Sequence, residues 1–158
     1  MNPRLRPLAL LTLVLAGQAL VSCVTTSGPQ ITKVNPYHLK PGQVILTEDQ
    51  MIQTEQLRRL HGAVTAEEFT ERFGNYYTVF WHAPQGGADE LKLEYLQGNT
   101  GSTVHTQVID IRGKKGKNTS EFRVTGEAYT TGGPVTAWKT TLISGGTPVA
   151  ESKSFLWK

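Results

Sequence analysis

From Tyr76 to the C-terminus the chain repeats one pattern. A run of β-branched, aromatic or alternating apolar residues is followed by a cluster of turn formers. The runs are "YYTVFWHA" (76–83), "LKLEYLQ" (91–97), "TVHTQVIDI" (103–111), "SEFRVTGEAYT" (120–130), "VTAWKTTLI" (135–143) and "PVAESKSFLW" (148–157). Between them stand "PQGGAD", "GNTGS", "RGKKGKN", "TGGP" and "SGGT". Side chains alternate across a strand, so Leu91, Leu93 and Tyr95 share one face while Lys92 and Glu94 share the other. The connections are too short for parallel crossovers, so neighbouring runs pair antiparallel.

These strands must hold together without covalent help. The sequence contains one cysteine, Cys23, so no intramolecular disulfide forms and the fold rests on apolar burial. The expected fold is all-β with one or two short helices, an antiparallel β-sandwich of about six to seven strands over residues 44–158. Its size and strand spacing resemble immunoglobulin-like and fibronectin-type modules in architecture only, with Trp81 a candidate for the core. An up-and-down barrel of the lipocalin sort is the alternative, although the Gly-x-Trp signature of a lipocalin first strand is missing.

Ahead of the strands the pattern is weaker. Residues 24–43, "VTTSGPQITKVNPYHLKPGQ", carry three prolines and two glycines with little apolar periodicity, and read as a flexible tether that gains order near Val44. Residues 47–61 fit either a helix, opened by Thr47 with Gln50 and closed by Gly62, or a first strand over 51–61. The segment "TAEEFTERFGN" is clearer. Thr65 as N-cap, Glu68 at the capping-box position, Arg72 in the last turn and Gly74 beyond it predict a short helix over 66–73.

The N-terminus carries a different kind of signal. Arg4 and Arg6 precede "LALLTLVLAGQALV" (8–21), which is 14 residues long. That is shorter than the roughly 20 apolar residues of a bilayer span, and it matches a secretory signal peptide. It ends Leu20-Val21-Ser22-Cys23, which resembles the lipobox of bacterial lipoprotein precursors. The resemblance covers residues 1–23. It implies diacylglycerol on the Cys23 thiol, cleavage before Cys23, and acylation, palmitate included, of the new amino group. Serine does not substitute for cysteine here, because a thiolate is the better nucleophile. Val24, where some bacteria use Asp to retain a lipoprotein at the inner membrane, implies the outer membrane as the destination. The organisation expected is therefore signal peptide 1–22, lipidated cysteine and tether 23–43, and sandwich 44–158.

Charge narrows the partners. The chain has 16 basic and 13 acidic side chains, and loss of residues 1–22 removes Arg4 and Arg6, leaving 14 against 13. A nearly neutral domain of 136 residues gives no support to nucleic-acid binding. His38, His61, His82 and His105 show no metal-ligand spacing. His105 and Asp110 lie at odd separation on one strand and point to opposite faces. Asp89 and Glu90 fall in a glycine-rich turn, where solvated acids are common. No catalytic residue, metal or cofactor is expected. The most distinctive local charge is Arg112, Lys114, Lys115 and Lys117, expected at a hairpin tip, with possible contact to an anion such as a lipid headgroup or acidic glycan.

The functional expectation is a non-enzymatic, lipid-anchored envelope module. It is held to the membrane through Cys23, faces the periplasm or the surface, and binds an envelope protein or glycan. A purely structural lipoprotein, a lipocalin-like binder of small ligands and an envelope enzyme with an atypical site are the rivals. The first prediction concerns Cys23. Cells fed an alkyne fatty acid should label the parent chain, and Cys23→Ser should abolish the label together with the mature lipidated species. Equal labelling of both chains, or of neither, rules out the lipobox.

Overall fold

The computed structural model describes residues 28–42 and 50–158. Cys23, the segment 1–22 and Thr47 lie outside the described residues. Seven strands and three helices follow in the order β1 (Gln30–Leu39), α1 (Gln50–Leu60), α2 (Ala66–Arg72), β2 (Gly74–Ala83), β3 (Glu90–Gln97), β4 (His105–Asp110), β5 (Gly116–Thr125), α3 (Gly126–Gly132), β6 (Val135–Ser144) and β7 (Thr147–Lys153). The strands form two antiparallel sheets, one of three strands in the order β1-β2-β5 and one of four in the order β4-β3-β6-β7.

This is the expected all-β, sandwich-like architecture. An up-and-down barrel keeps chain neighbours as sheet neighbours, whereas here the chain changes sheet after β2, after β4 and after β5. A constant-type immunoglobulin sandwich places its first, second, fourth and fifth strands in one sheet. In this chain the fourth strand has crossed to pair with the third.

The core lies between the sheets. Tyr77, Val79 and Trp81 from β2 and Phe122 and Val124 from β5 face Leu91, Leu93 and Tyr95 from β3 and Leu142 from β6. Trp81 is buried, and its indole Nε1 donates to Ser120 Oγ at 3.1 Å, so the polar edge of the ring is satisfied inside the core. The sheet edges approach one another as well. The Gln107 side chain on β4 donates to the Arg123 carbonyl on β5 at 2.9 Å, and β1 lies beside β7.

Several expectations need correction. Residues 30–39 are not tether. They form β1, paired with β2 from Gln30↔His82 to Leu39↔Gly74. A bulge between Ile31 and Lys33 breaks the period of two, so Ile31 and Val34 both face the core at odd spacing. Pro36 is tolerated because β1 is an edge strand. Residues 50–60 of the ambiguous segment are helical. The expected strand 120–130 ends at Thr125, because Gly126 takes φ +59 and the chain turns into α3. The expected strand 148–157 ends at Lys153. Trp157 N–H donates to Ser154 O at 3.1 Å, curling the last residues, and Phe155 is fully exposed. Finally, the basic segment 112–117 is no hairpin tip. It carries the chain from β4 in one sheet to β5 in the other, and Lys117 already belongs to β5.

The α2 helix forms as its sequence specified. Thr65 Oγ1 accepts from Glu68 N–H at 3.2 Å, and the Glu68 carboxylate accepts from Thr65 N–H at 3.1 Å. The α3 helix is pinned by the buried Gln97, whose Nε2 donates to Ala128 O at 2.9 Å and Gly133 O at 2.8 Å. This pin predicts the cost of a single methyl group. A Cβ on Gly132 would stand 2.5 Å from the Gln97 amide carbon, whereas one on Gly98 meets nothing nearer than 3.8 Å. Gly132→Ala should therefore cost about 1–3 kcal/mol of unfolding free energy and Gly98→Ala under about 0.5 kcal/mol, measured by urea denaturation.

Candidate functional site

The outer face of the three-stranded sheet divides into a covered half and an open half. Alternation along β2 sends Tyr77, Val79 and Trp81 inward and Tyr76, Thr78, Phe80 and His82 outward. The register sets Arg123, Glu121, Thr119 and Lys117 of β5 beside them on one side. On the other side it sets Tyr37, Asn35, Lys33 and Gln30 of β1.

Helices α1 and α2 lie over the Tyr76 end, and Arg59 holds them there. Its side chain is buried, with the guanidinium 4.0 Å from the Tyr76 ring centroid. It pairs with Glu55 one turn earlier at 2.7 Å and with Glu121 across on β5 at 2.5 Å. Glu121 also accepts from Arg123 Nε at 2.8 Å. Arg72 Nη1 donates to the carbonyls of Arg59 (3.1 Å) and His61 (2.6 Å), tying α2 to the end of α1, and the Tyr76 hydroxyl donates to Arg72 O at 2.6 Å. The Glu55 carboxyl is held below the usual glutamate range, first by its hydrogen bond from Arg58 and further by Arg59. A depression of about 340 Å³ opens beside these groups. Its arginines are already engaged by Glu55, Glu121 and backbone carbonyls, so it is a clamp, with little charge left to offer a ligand.

The other half is open. A depression of about 620 Å³ lies over the far end of the sheet, with Phe80 on its floor and Gln30, Lys33, His82, Lys117 and Thr119 around it. Phe80 is 36% exposed, a large ring in mid-sheet. Among the described residues no carboxylate lines the depression, and the buried His82 Nδ1 has no hydrogen-bond partner. The depression thus offers an apolar floor, two ammonium groups, and hydroxyl and amide groups, a mix of apolar and polar contacts of the kind small-molecule sites use.

The residues singled out from sequence fall in different places. Arg112 does not stand free, because Asp110 grips its guanidinium through both carboxylate oxygens and also accepts its backbone N–H. The Arg112 side chain lowers the Asp110 carboxyl to about 2, with Lys114 adding least. Lys114, Lys115 and Lys117 are exposed, and no ion pair engages them among the described residues. Asp89 and Glu90 do not act together, since Asp89 Oδ2 accepts from Gly145 N–H at 2.6 Å and holds the β6–β7 turn. His38 shares a 2.7 Å hydrogen bond with the Tyr129 hydroxyl, and burial pushes its pKa down. His105 stacks on Tyr95 with centroids 5.2 Å apart and bonds Thr100 Oγ1 at 3.1 Å.

The Arg59 cluster and the Phe80 depression both escaped sequence reasoning. The cluster left a trace in Glu55, three and four residues before Arg58 and Arg59. The depression leaves none, because Lys33 falls in the segment whose sequence resembles a tether and the strand pattern does not show which face Phe80 takes. Comparison with protein-family models, with curated proteins and with solved structures finds no match to this chain.

The clamp predicts an asymmetry between adjacent arginines. Arg59→Ala removes the buried guanidinium and its packing on Tyr76, leaving Glu55 with Arg58 and Glu121 with Arg123, and should cost about 2–3 kcal/mol. Arg58→Ala, whose side chain is 59% exposed, should cost under about 1 kcal/mol. Because the Glu55 pKa is lowered on folding, its contribution is complete above about pH 4.3 and is lost as acid titrates the folded carboxylate. Acid unfolding of Arg58→Ala, which removes the largest cause of that lowering, should accordingly be less steep below that pH, and that of Arg59→Ala less affected, read by circular dichroism.

Proposed function

We infer that the chain is a non-enzymatic, lipid-anchored protein of the cell envelope that binds an acidic glycan on the open half of its three-stranded sheet. The observation that carries the binding reading is the Phe80 depression. A sugar ring presents C–H groups that pack on an aromatic face, while its carboxylate or phosphate pairs with Lys33 and Lys117. Its hydroxyls find partners in Gln30 and Thr119. A depression of about 620 Å³ is within the usual range for a small-molecule site. The anchor reading is supported by the basic start, the 14-residue apolar run and the Leu20-Val21-Ser22-Cys23 box, and Val24 favours the outer membrane. The binding reading is favoured over an enzymatic one because His38, His105, Asp89 and Asp110 each serve a structural partner.

Titration of the purified protein with acidic and neutral oligosaccharides tests this. Acidic ligands should bind and their neutral counterparts should not. Phe80→Ala should weaken binding by about 1 kcal/mol, and Lys33→Gln with Lys117→Gln should weaken it further and flatten its salt dependence. The two lysine changes should leave stability nearly unchanged because both side chains are exposed, and Phe80→Ala should cost about 1–2 kcal/mol because its ring is only partly exposed. Unchanged affinity in Phe80→Ala would move the site elsewhere, and equal binding of neutral sugars would remove the lysines from it.

A further inference from the structure

The topology brings two separate sequence signals to one end of the sandwich. Strand β1 begins at Gln30, opposite His82 at the end of β2 and Lys117 at the start of β5. The β2–β3 and β4–β5 connections and the β6–β7 turn lie at this same end. They are close together. A Cβ on Gly87 would stand 3.4 Å from the Pro29 ring, and one on Gly86 would stand 3.4 Å from the Lys115 side chain. The chain that leads back to Cys23 therefore leaves the domain beside the basic connection.

The reach is short. Six residues, 24–29, separate Cys23 from Gln30. Fully extended, that stretch spans at most about 25 Å. The charge at this end is also divided. Asp110, Asp89 and Glu90 gather around Arg112 and raise its pKa, Asp110 most of all. Lys114, Lys115 and Lys117 are exposed and free of ion pairs among the described residues.

We propose that Lys114, Lys115 and Lys117 dock this end of the domain onto the anionic lipid headgroups of the bilayer that holds Cys23, and that Arg112 takes no part. The proposal rests on the lipid-anchor reading and shares Lys117 with the glycan site, so the test substitution is made at Lys115, which does not line that depression. Docking sets the strands upright on the membrane. It leaves α2, α3 and the β3–β4 turn at the far end, and turns the open sheet face sideways to the bilayer. The anchor supplies the high local concentration and the lysines supply the orientation.

The test uses the mature chain purified from envelopes, with its N-terminal peptide checked by mass spectrometry for an acylated Cys23. It is placed in vesicles of phosphatidylcholine alone or in equal mixture with phosphatidylglycerol, and treated with an amine-reactive reagent at single-hit dose. Lys114, Lys115 and Lys117 should be protected on the anionic vesicles relative to the neutral ones. Lys40 and Lys153, away from this end, should react alike on both. High salt should erase the difference. Lys115→Glu should shift the docked fraction by about fivefold or more for each charge changed, seen as lost protection at Lys114 and Lys117. Removing the pair together, Arg112→Gln with Asp110→Asn, leaves the net charge of this end unchanged and should leave that protection intact. Equal reactivity on the two vesicles with Cys23 acylated overturns the docking while the anchor stands. Unacylated Cys23 overturns both.

Discussion

A single buried guanidinium decides which part of this molecule is available for binding. Arg59 sits between Glu55 of its own helix and Glu121 of β5, with its flat face on Tyr76. Without that arrangement α1 has little reason to lie on the sheet, because its apolar side chains are a poor anchor. Met51 and Leu57 are largely exposed. The helix is therefore held by charge and aromatic stacking more than by apolar burial. A charge taken out of water is stabilising only while each partner remains, so the clamp is rigid and unforgiving. It also fixes the boundary of the covered area, and Phe80 lies just outside it.

The outer face of the other sheet shows what a face without such a vacancy looks like. Glu94 on β3 stands between Lys92 at 3.4 Å and Lys139 at 3.0 Å. The Lys139 ammonium in turn lies 5.3 Å from the Trp157 ring centroid. These three charges are matched within the sheet, and the C-terminal Trp157 lies against one of them. On the three-stranded sheet the lysines flank a partly exposed ring, and no carboxylate of the described residues lines the depression beside them. The middle of one face thus has its charges paired within the sheet, whereas the lysines beside Phe80 have charge to offer a partner.

The sheets were legible in the sequence because alternation and turn chemistry act locally. Glycine and proline clusters marked each boundary of β2, β3, β4 and β6 to within about two residues. The misreadings have equally physical causes. In β1 a bulge at Ile31–Lys33 and an edge proline at Pro36 hide the period of two, so ten residues of strand look like linker. In "SEFRVTGEAYT" the break is one glycine at positive φ, and in "PVAESKSFLW" it is a turn at Ser154. The candidate site was illegible for a further reason. It is made by register, which places Lys33 of β1, Phe80 of β2 and Lys117 and Thr119 of β5 side by side although as many as 86 positions separate them in the chain. No local pattern encodes that juxtaposition.

Assigning residues 30–39 to the sandwich changes the mechanics of an anchored domain. Had the folded part begun at Val44, some twenty residues would have behaved as a chain of about 25 Å root-mean-square length, leaving the domain free to tumble above the bilayer. A domain that starts at Gln30 has only residues 24–29 between itself and Cys23. Its basic end is then confined close to the headgroup layer, within a few Debye lengths. At that separation a few unpaired lysines, each contributing about 1 kcal/mol near an anionic surface, are enough to select one orientation. The same lysines on a long tether would pay for their contact with the lost freedom of the linker. A short connection and an unneutralised basic end therefore reinforce each other, and the position of β1 is what puts them together.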